Sequence, residues 1–243
     1  MIEALLGEFL GTLVLIVFGS GVVANVTLKK TFGYNSGWMV ITTGWALGVT
    51  MGVFVAQAVG SVQADINPAV TLAKTLMGIY SPQLAIITML VQLAGAFYGA
   101  WLVFWFYRPH FAITECNQTK MGIFCTSPAI RSYGNAFFCE TFATVILILV
   151  IFAIFAKLDA KVALQFGPYL VGMLVWAIGL SLGGATGYAI NPARDLGPRL
   201  AHRLMPIKDK CPPDWKYAAI PVVAPLLGGF LAFGIATLFG IIK

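Results

Sequence analysis

Long apolar stretches alternate with short polar connections along the whole chain. Six of the stretches are long enough to cross the hydrocarbon core of a bilayer, which takes roughly 20 residues in a helix. They cover residues 4–26, 38–59, 84–107, 136–156, 162–182 and 218–242. This pattern predicts six membrane-spanning helices.

Two further apolar stretches, 67–79 and 191–204, are too short to span a bilayer, and the same four residues, Ile-Asn-Pro-Ala, lead into each of them. Asparagine is a good helix N-cap and proline is favoured at the first helical position, so both copies predict the start of a helix. A short helix that begins within membrane-length apolar sequence is typical of a re-entrant half-helix.

The order span, span, half-helix, span occurs twice. Residues 1–107 form the first predicted repeat, 133–243 form the second, and the polar connection 108–132 divides them. Because each repeat has an odd number of full spans, the second repeat must enter the membrane from the opposite side. The predicted fold is therefore a single all-α membrane domain over 1–243, with six transmembrane helices and two half-helices in an inverted repeat.

The two predicted half-helices would meet near the middle of the bilayer. Their N-termini carry unpaired backbone N–H groups and the positive ends of helix dipoles, which are tolerated only where they are buried or line a water-filled path. Asparagine amides could donate hydrogen bonds along such a path, the preceding carbonyls could accept them, and the dipoles would repel cations. The predicted pore motifs are Asn67, Pro68, Ala69, Asn191, Pro192 and Ala193, and the predicted carbonyl-lining residues are Ala64, Asp65, Ile66, Ala189 and Ile190.

Composition supports a membrane protein. Hydrophobic residues make up 59% of the 243 residues and charged residues only 10%, whereas a soluble domain carries about a quarter charged residues. The mean hydropathy is +0.89. The net charge of +6 comes from Lys and Arg scattered through short connections, not from a basic stripe with interleaved aromatics, so nucleic acid is not an expected partner. Lipid headgroups are the expected neighbours of these charges.

The positive charges are distributed unevenly between the two predicted faces of the membrane domain. One face carries Lys29, Lys30, Arg108, Lys120, Arg131, Arg199, Arg203, Lys208, Lys210 and Lys216, and the other carries Lys74, Lys157, Lys161 and Lys243. By the positive-inside rule the first face would be cytoplasmic and the termini would lie outside.

The cysteines and histidines do not predict a metal or cofactor site. The four cysteines form no CxxC pair, and the chain has only two histidines. Cys116 and Cys125 lie in one polar connection, where they could form a disulfide on an oxidising face or remain free thiols. No nucleophile–base arrangement is evident either, so we do not expect an enzyme.

The paired "INPAVT" and "INPARD" segments resemble the signature of the major intrinsic protein family, the aquaporins and glycerol facilitators, and the resemblance covers essentially the whole chain. It implies a multi-pass channel of the cell membrane, assembled as a homotetramer with one pore in each subunit. Within the family the chain is most similar to the glycerol facilitators.

The resemblance also implies an outer selectivity constriction. Arg194 matches the family's arginine, and Trp45 in "GWALGV" matches the aromatic of the second span. Gly179 falls where water-selective members usually have histidine, and it would open the gap. Tyr188 falls where the glycerol type usually has phenylalanine, and its hydroxyl would make the apolar corner more polar.

Several acidic residues depart from the apolar background. The family usually reads Ser-Gly-Ala-His before its first motif, but this chain has Asp65 in place of the histidine. Asp65 could tune the entry of solutes, gate the pore with pH or pair with a loop lysine, and we favour pairing or simple solvation. Glu8 and Glu140 could act in a proton relay, but the resemblance implies that they hold the loops before the half-helices. Asp195, after the second motif, is a further residue in which the chain resembles the glycerol branch of the family.

The function implied is passive conduction of glycerol and other small neutral solutes, with water, while ions and protons are excluded. A water-dominated channel is the nearest alternative. Gly179 argues against a water-dominated channel, whereas Tyr188 is compatible with one. An ion- or proton-coupled transporter also uses inverted repeats and broken helices. Such a transporter would need titratable groups in the path, for which only Glu8, Glu140 and Asp65 are candidates.

Overall fold

A computed structural model describes residues 1–242 of the chain. Its helices, in chain order, are α1 (Ile2–Thr27), α2 (Trp38–Ala58), α3 (Pro68–Leu76), α4 (Pro82–Ile113), α5 (Asn117–Gly122), α6 (Tyr133–Phe155), α7 (Ala160–Ser181), α8 (Pro192–Leu204), α9 (Trp215–Ala218) and α10 (Ile220–Leu238). A short 3₁₀ turn at Gly183–Ala185 follows α7.

Six helical segments are long and apolar enough to cross a membrane: α1, α2, α4, α6, α7, and α9 together with α10. Their outer surfaces expose large apolar side chains such as Leu90, Phe106 and Phe230. A soluble protein rarely exposes so much apolar surface, whereas a bilayer solvates it. The six predicted spans are therefore confirmed, with ends that shift by a few residues.

Glycines let the spanning helices cross at short range. A Cβ on Gly11 of α1 would lie 2.6 Å from the carbonyl oxygen of Gly52 on α2, and one on Gly99 of α4 would lie 2.7 Å from the carbonyl oxygen of Leu13. Only a residue without a side chain fits such contacts, which replace the hydrophobic driving force that is absent between helices in lipid.

The two half-helices are present where the repeated motif predicts them. Helix α3 has nine residues and α8 has thirteen, and each begins at the proline of its motif. Helix α3 of the first repeat packs on α10 of the second, while α8 of the second repeat packs on α4 of the first. Each half-helix is thus held by the other half of the chain, and the inverted repeat closes into one unit.

The predicted connection at 108–132 is wrong at its start. Helix α4 continues through Pro109 to Ile113, and the short helix α5 follows within the segment expected to be loop. Phe111 is buried against Phe104 and stacks on Phe124. This aromatic packing stabilises the last turn of α4 beyond a proline that would otherwise end it.

All four cysteines are free thiols. Cys116 is exposed and Cys125 is buried, so the disulfide considered between them is not formed.

Several positive residues on the more basic face are used inside the fold. Arg199 is fully buried beside Asp195, and Lys210 donates to the carbonyl oxygen of His202 near the C-terminal end of α8. Lys120 donates to the carbonyl oxygen of Lys208. Lys243, counted with the opposite face, lies outside the described residues. The orientation expected from the remaining charges stays a prediction.

Candidate functional site

The two motif asparagines hold the half-helices end to end. Each caps its own helix: the Asn67 Oδ1 accepts from the backbone N–H of Ala69, and the Asn191 Oδ1 accepts from those of Ala193 and Arg194. Each also donates across the junction. The Asn67 Nδ2 lies 2.9 Å from the Ile190 carbonyl oxygen, and the Asn191 Nδ2 lies 2.8 Å from the Ile66 carbonyl oxygen. Because an amide nitrogen has two hydrogens, each asparagine keeps one for another acceptor.

The residues before each asparagine adopt the same unusual backbone. Ala64 and Ile66 have φ values of 43° and 44°, and Tyr188 and Ile190 have 36° and 43°. The left-handed region is costly for non-glycine residues, especially β-branched ones, at about 1–3 kcal/mol each. The mirrored conformation therefore needs strong anchors in both repeats.

Glu8 is the anchor of the first repeat. Its carboxylate is buried on α1 and accepts from the backbone N–H groups of Asp65 and Ile66, each at 2.8 Å. The Ser61 hydroxyl and the Gln92 amide donate to the same carboxylate. Four donors satisfy the buried charge, and this geometry is that of a backbone support, not of a free proton carrier.

Glu140 occupies the equivalent place in the second repeat. Its two carboxylate oxygens accept from the backbone N–H groups of Ala189 at 3.0 Å and Ile190 at 2.8 Å. These residues stand two and one positions before Asn191, as Asp65 and Ile66 stand before Asn67. Neither glutamate lines either of the two cavities described below.

Asp65 is paired, and its partner lies on α3 instead of a loop. Its carboxylate accepts from Lys74 in the last turn of α3, from the Thr71 hydroxyl and from the Tyr80 hydroxyl at 2.8 Å. Burial, together with the negative charges of Asp65 and Glu8, raises the pKa of the Tyr80 phenol, so it remains a hydrogen-bond donor. Lys74 also donates to the carbonyl oxygen of Gln63.

Asp195 ties the second half-helix to the connection that precedes α6. It accepts from the backbone N–H and hydroxyl of Thr126 at 2.8 Å and 2.6 Å. Arg199, one turn later on α8, donates to both oxygens of Asp195, and its Nη2 also donates to the Thr126 carbonyl oxygen. All charges in this cluster are paired, as buried charges must be.

Two cavities meet at the predicted constriction. The first, which we call the lumen cavity, has a volume of about 380 Å³ and runs past both motif asparagines and the two extended stretches 63–66 and 188–190. The second, the vestibule cavity, has a volume of about 510 Å³ and opens between α2, the 118–131 segment and the 183–187 turn. Trp45, Tyr188 and Arg194 are the three residues that line both cavities.

The predicted constriction has one charged and two aromatic walls. The Arg194 guanidinium carbon lies 4.0 Å from the Trp45 ring centre, within the range of a cation–π contact. Across residues 1–242, Arg194 takes part in none of the four salt bridges. No carboxylate therefore contacts its guanidinium at salt-bridge distance.

Gly179 lies behind Tyr188 and lines neither cavity. A Cβ on Gly179 would be 2.9 Å from the Tyr188 Cζ and 3.0 Å from its hydroxyl oxygen, so the tyrosine ring fills the space that the glycine leaves. The expectation that Gly179 opens a gap directly is thereby corrected: its missing side chain makes room for Tyr188.

The expected polar contribution of Tyr188 is wrong for a related reason. Its hydroxyl is buried, and within the described chain it has no hydrogen-bond partner. A buried hydroxyl does not contact a solute in the lumen, because the ring presents only its carbon atoms there. Tyr188 thus forms an apolar wall, as a phenylalanine would.

Several supporting residues were not predicted from the sequence: Trp38, Ser61, Thr71, Tyr80, Gln92 and Thr126. Polar residues inside apolar spans, such as Gln92 in α4, are the one local signal that could have drawn attention to them. Ser61, Tyr80 and Thr126 lie in loops, where such polar residue types are common. Trp38 begins α2 and Thr71 lies inside α3, and neither stands out from its sequence surroundings.

Comparison with known proteins gives a consistent result. Residues 1–235 match the family described as Major intrinsic protein. The chain is 49% identical over 226 residues to a probable glycerol uptake facilitator protein of Thermotoga maritima, covering 93% of this chain and 94% of the relative. It is 44% identical over 239 residues to a glycerol uptake facilitator protein of Streptococcus pneumoniae, covering 98% and 100%.

A solved structure shares the fold. The X-ray structure of the aquaglyceroporin from Plasmodium falciparum aligns with a TM-score of 0.82 at 29% identity, covering 97% of this chain and 95% of that one. These matches confirm the resemblance drawn from the two Ile-Asn-Pro-Ala motifs. Since the family match spans nearly the whole length and the fold agrees, the chain belongs to the major intrinsic protein family.

Proposed function

We propose that the protein is a passive channel of the cell membrane that conducts glycerol and other small neutral solutes, with water, and excludes ions and protons. The observation that carries this proposal is the reciprocal pair of hydrogen bonds between Asn67 and Ile190 and between Asn191 and Ile66, set in the wall of the lumen cavity. Relatives named glycerol uptake facilitators and a neighbour named an aquaglyceroporin support glycerol as the solute.

The constriction suits a polyol. Trp45 and Tyr188 offer apolar surface to the carbon backbone, and the Arg194 guanidinium offers N–H donors to the hydroxyl groups. Beyond it, the free hydrogens of Asn67 and Asn191 and the carbonyls of the extended stretches replace hydrogen bonds that the solute loses to water. Gly179 contributes to the constriction indirectly, because its missing side chain leaves space for the Tyr188 ring.

Ion exclusion follows from the same residues. A cation at the constriction meets the Arg194 charge, which is in no salt bridge among residues 1–242, and then the positive N-terminal ends of α3 and α8. Moving an ion out of water into such a lumen without a compensating partner costs several kcal/mol or more. A neutral solute avoids this penalty.

A proton- or ion-coupled transporter is disfavoured by how the acidic groups are used. Glu8 and Glu140 are occupied by backbone N–H donors and line neither cavity. Asp65 does line the lumen cavity, but Lys74, Thr71 and Tyr80 hold its carboxylate. Asp65 is the one carboxylate among the described residues of the lumen wall, and it is not free to carry a coupled ion.

A water-dominated channel remains the closer alternative. The burial of the Tyr188 hydroxyl argues against it, since the aromatic corner then offers little to a water molecule that lacks other partners.

A homotetramer in lipid, with one pore in each subunit, is part of the proposal. The lumen lies within a single chain, so assembly is not needed to complete it. Native mass spectrometry of the detergent-extracted protein tests it. A dominant mass of four chains supports it, and a dominant monomer contradicts it.

The decisive experiment is stopped-flow light scattering of proteoliposomes in separate gradients of water, glycerol and larger polyols. We expect fast glycerol entry relative to protein-free vesicles, independent of pH and sodium gradients. Water flux without glycerol flux would favour the water channel, and uptake that follows an ion gradient would favour the transporter.

A further inference from the structure

The aromatic wall of the constriction stands on a support that reaches beyond the three lining residues. Tyr188 contacts Trp38, the first residue of α2, edge to face, with ring centres 5.9 Å apart and an interplanar angle of 78°. Such T-shaped pairs are stabilising beyond the area that they bury. Trp38 lines the vestibule cavity.

Trp38 is itself fixed to the same end of α7 that lies behind the tyrosine. Its indole Nε1 donates to the Gly179 carbonyl oxygen at 3.0 Å. The bond joins residues 141 positions apart in the chain. One side chain therefore contacts Tyr188 and holds the glycine on which Tyr188 rests.

Gly183 completes the support. A Cβ on Gly183 would lie 2.5 Å from the Tyr188 Cδ1 and 2.9 Å from the Trp38 Cζ2, so both rings pack directly on its backbone. Tyr188 has a φ of 36°, an unfavourable conformation for a tyrosine. The ring is thus confined by Gly179, Gly183 and Trp38 on one side and faces the lumen on the other.

From this packing we propose that Trp38 is a positioning residue that sets the size limit of the channel by holding the Tyr188 ring at the constriction. The proposal rests on the proposed function as a solute channel. Trp38 acts through Tyr188 and is not itself one of the residues at the junction of the two cavities.

The expected effect is a change in which solutes pass. In Trp38→Ala the tyrosine loses its edge contact and gains room toward the vestibule, so the gap widens when a solute enters. The permeability of a five-carbon polyol relative to glycerol should rise by about tenfold, the scale on which steric contacts discriminate between solutes. Trp38→Phe keeps an aromatic ring against Tyr188 but loses the N–H that donates to the Gly179 carbonyl oxygen. The ratio of five-carbon polyol to glycerol permeability should therefore rise less in Trp38→Phe than in Trp38→Ala.

Trp105→Ala provides a matched control. Trp105 is half exposed on α4 and lines neither cavity. The same aromatic truncation there should leave the ratio of five-carbon polyol to glycerol permeability at the wild-type value. If loss of any large aromatic side chain loosened the protein, the permeability ratio would rise in Trp105→Ala as well as in the two Trp38 variants. A positioning role raises the ratio only in the Trp38 variants.

The test measures glycerol, xylitol and water permeability of each variant in proteoliposomes at equal protein content. Wild-type protein that does not conduct glycerol would refute the proposed function itself. Wild-type protein that conducts glycerol, with the same xylitol-to-glycerol ratio in folded Trp38→Ala and Trp38→Phe, overturns only the role of Trp38. If Trp38→Ala does not fold, Trp38→Phe decides: a raised ratio supports the proposal and an unchanged one overturns it.

Discussion

The guanidinium carbon of Arg194 lies 4.0 Å from the centre of the Trp45 ring, with no carboxylate in a salt bridge to it among residues 1–242. The contact orients a positive charge at the junction of the two cavities without neutralising it. A cation–π contact of this kind contributes about 0.5–2 kcal/mol. It restricts the orientation of the side chain, but the guanidinium keeps its positive charge. In the channel that we propose, this geometry would make Arg194 the main electrostatic barrier at this level of the lumen.

Arg194→Val should therefore loosen selectivity. We expect measurable cation leakage and faster passage of bulkier solutes, because both the charge and the long side chain are lost. Conductance of planar bilayers and polyol swelling assays measure the two effects. Arg131→Val, at the rim of the vestibule cavity, is the control and should leave both unchanged. Selectivity identical to wild type in Arg194→Val would show that the arginine does not guard the lumen.

Tyr188→Phe should leave permeability nearly unchanged. The hydroxyl is buried and has no partner in the described chain, so its removal takes nothing from the lumen wall. Loss of an unpaired buried polar group is neutral or stabilising. Glycerol and water permeability and the melting temperature in detergent are the measurements. A clear fall in water flux would show that the hydroxyl does contact the permeating molecules.

Gly179→His should suppress glycerol flux by about tenfold or more, since steric exclusion discriminates on this scale, while water flux is largely kept. A histidine Cβ would lie 2.9 Å from the Tyr188 Cζ and 3.0 Å from the Thr42 Cγ2, so the tyrosine ring must move toward the lumen. Gly134→His is a suitable control, because a side chain at Gly134 meets no neighbour. Undiminished glycerol entry in well-folded Gly179→His would rule out this coupling.

Glu140→Gln should destabilise the fold. The carboxylate accepts from two backbone N–H groups, but a glutamine has only one oxygen, so one of the two donors at Ala189 and Ile190 loses its acceptor. A buried unpaired donor costs about 1–3 kcal/mol. Thermal unfolding in detergent should show a lower midpoint than wild type, whereas Glu3→Gln, at an exposed site, should not. Equal midpoints would mean that the glutamate is dispensable as an anchor.

Thiol labelling should separate two cysteines of the segment between α4 and α6. Hydrogen bonds from Thr119, chiefly from its side chain, lower the pKa of the exposed Cys116 thiol, while burial raises the pKa of Cys125 to about 12. The thiolate is the reactive form, so Cys116 should react first at pH 7, and its rate should level off at lower pH than that of an ordinary thiol. Mass spectrometry of maleimide-treated protein, with Cys116→Ser as control, gives the order. Faster labelling of Cys125 would contradict the structure.

The sequence alone determined the fold class, because the evidence for it is local. Span length follows from apolar run length, and Asn67-Pro68 and Asn191-Pro192 start helices through capping and ring geometry that need no tertiary contact. The repetition of the pattern in two halves implied the inverted repeat. Where local evidence failed, as at the end of α4 beyond Pro109, the deciding factor was packing of Phe111 on Phe124.

The tertiary structure decided how the constriction is built. No sequence pattern brings Trp38, Gly179 and Tyr188 together, since the Trp38–Gly179 hydrogen bond alone spans 141 positions. Likewise, the sequence placed a hydroxyl at Tyr188 but not its direction, and only the packing against Gly179 turned it away from the lumen. The starts of the two half-helices are set by neighbours in sequence, whereas the width and polarity of a pore depend on side chains that meet only after the helices have packed.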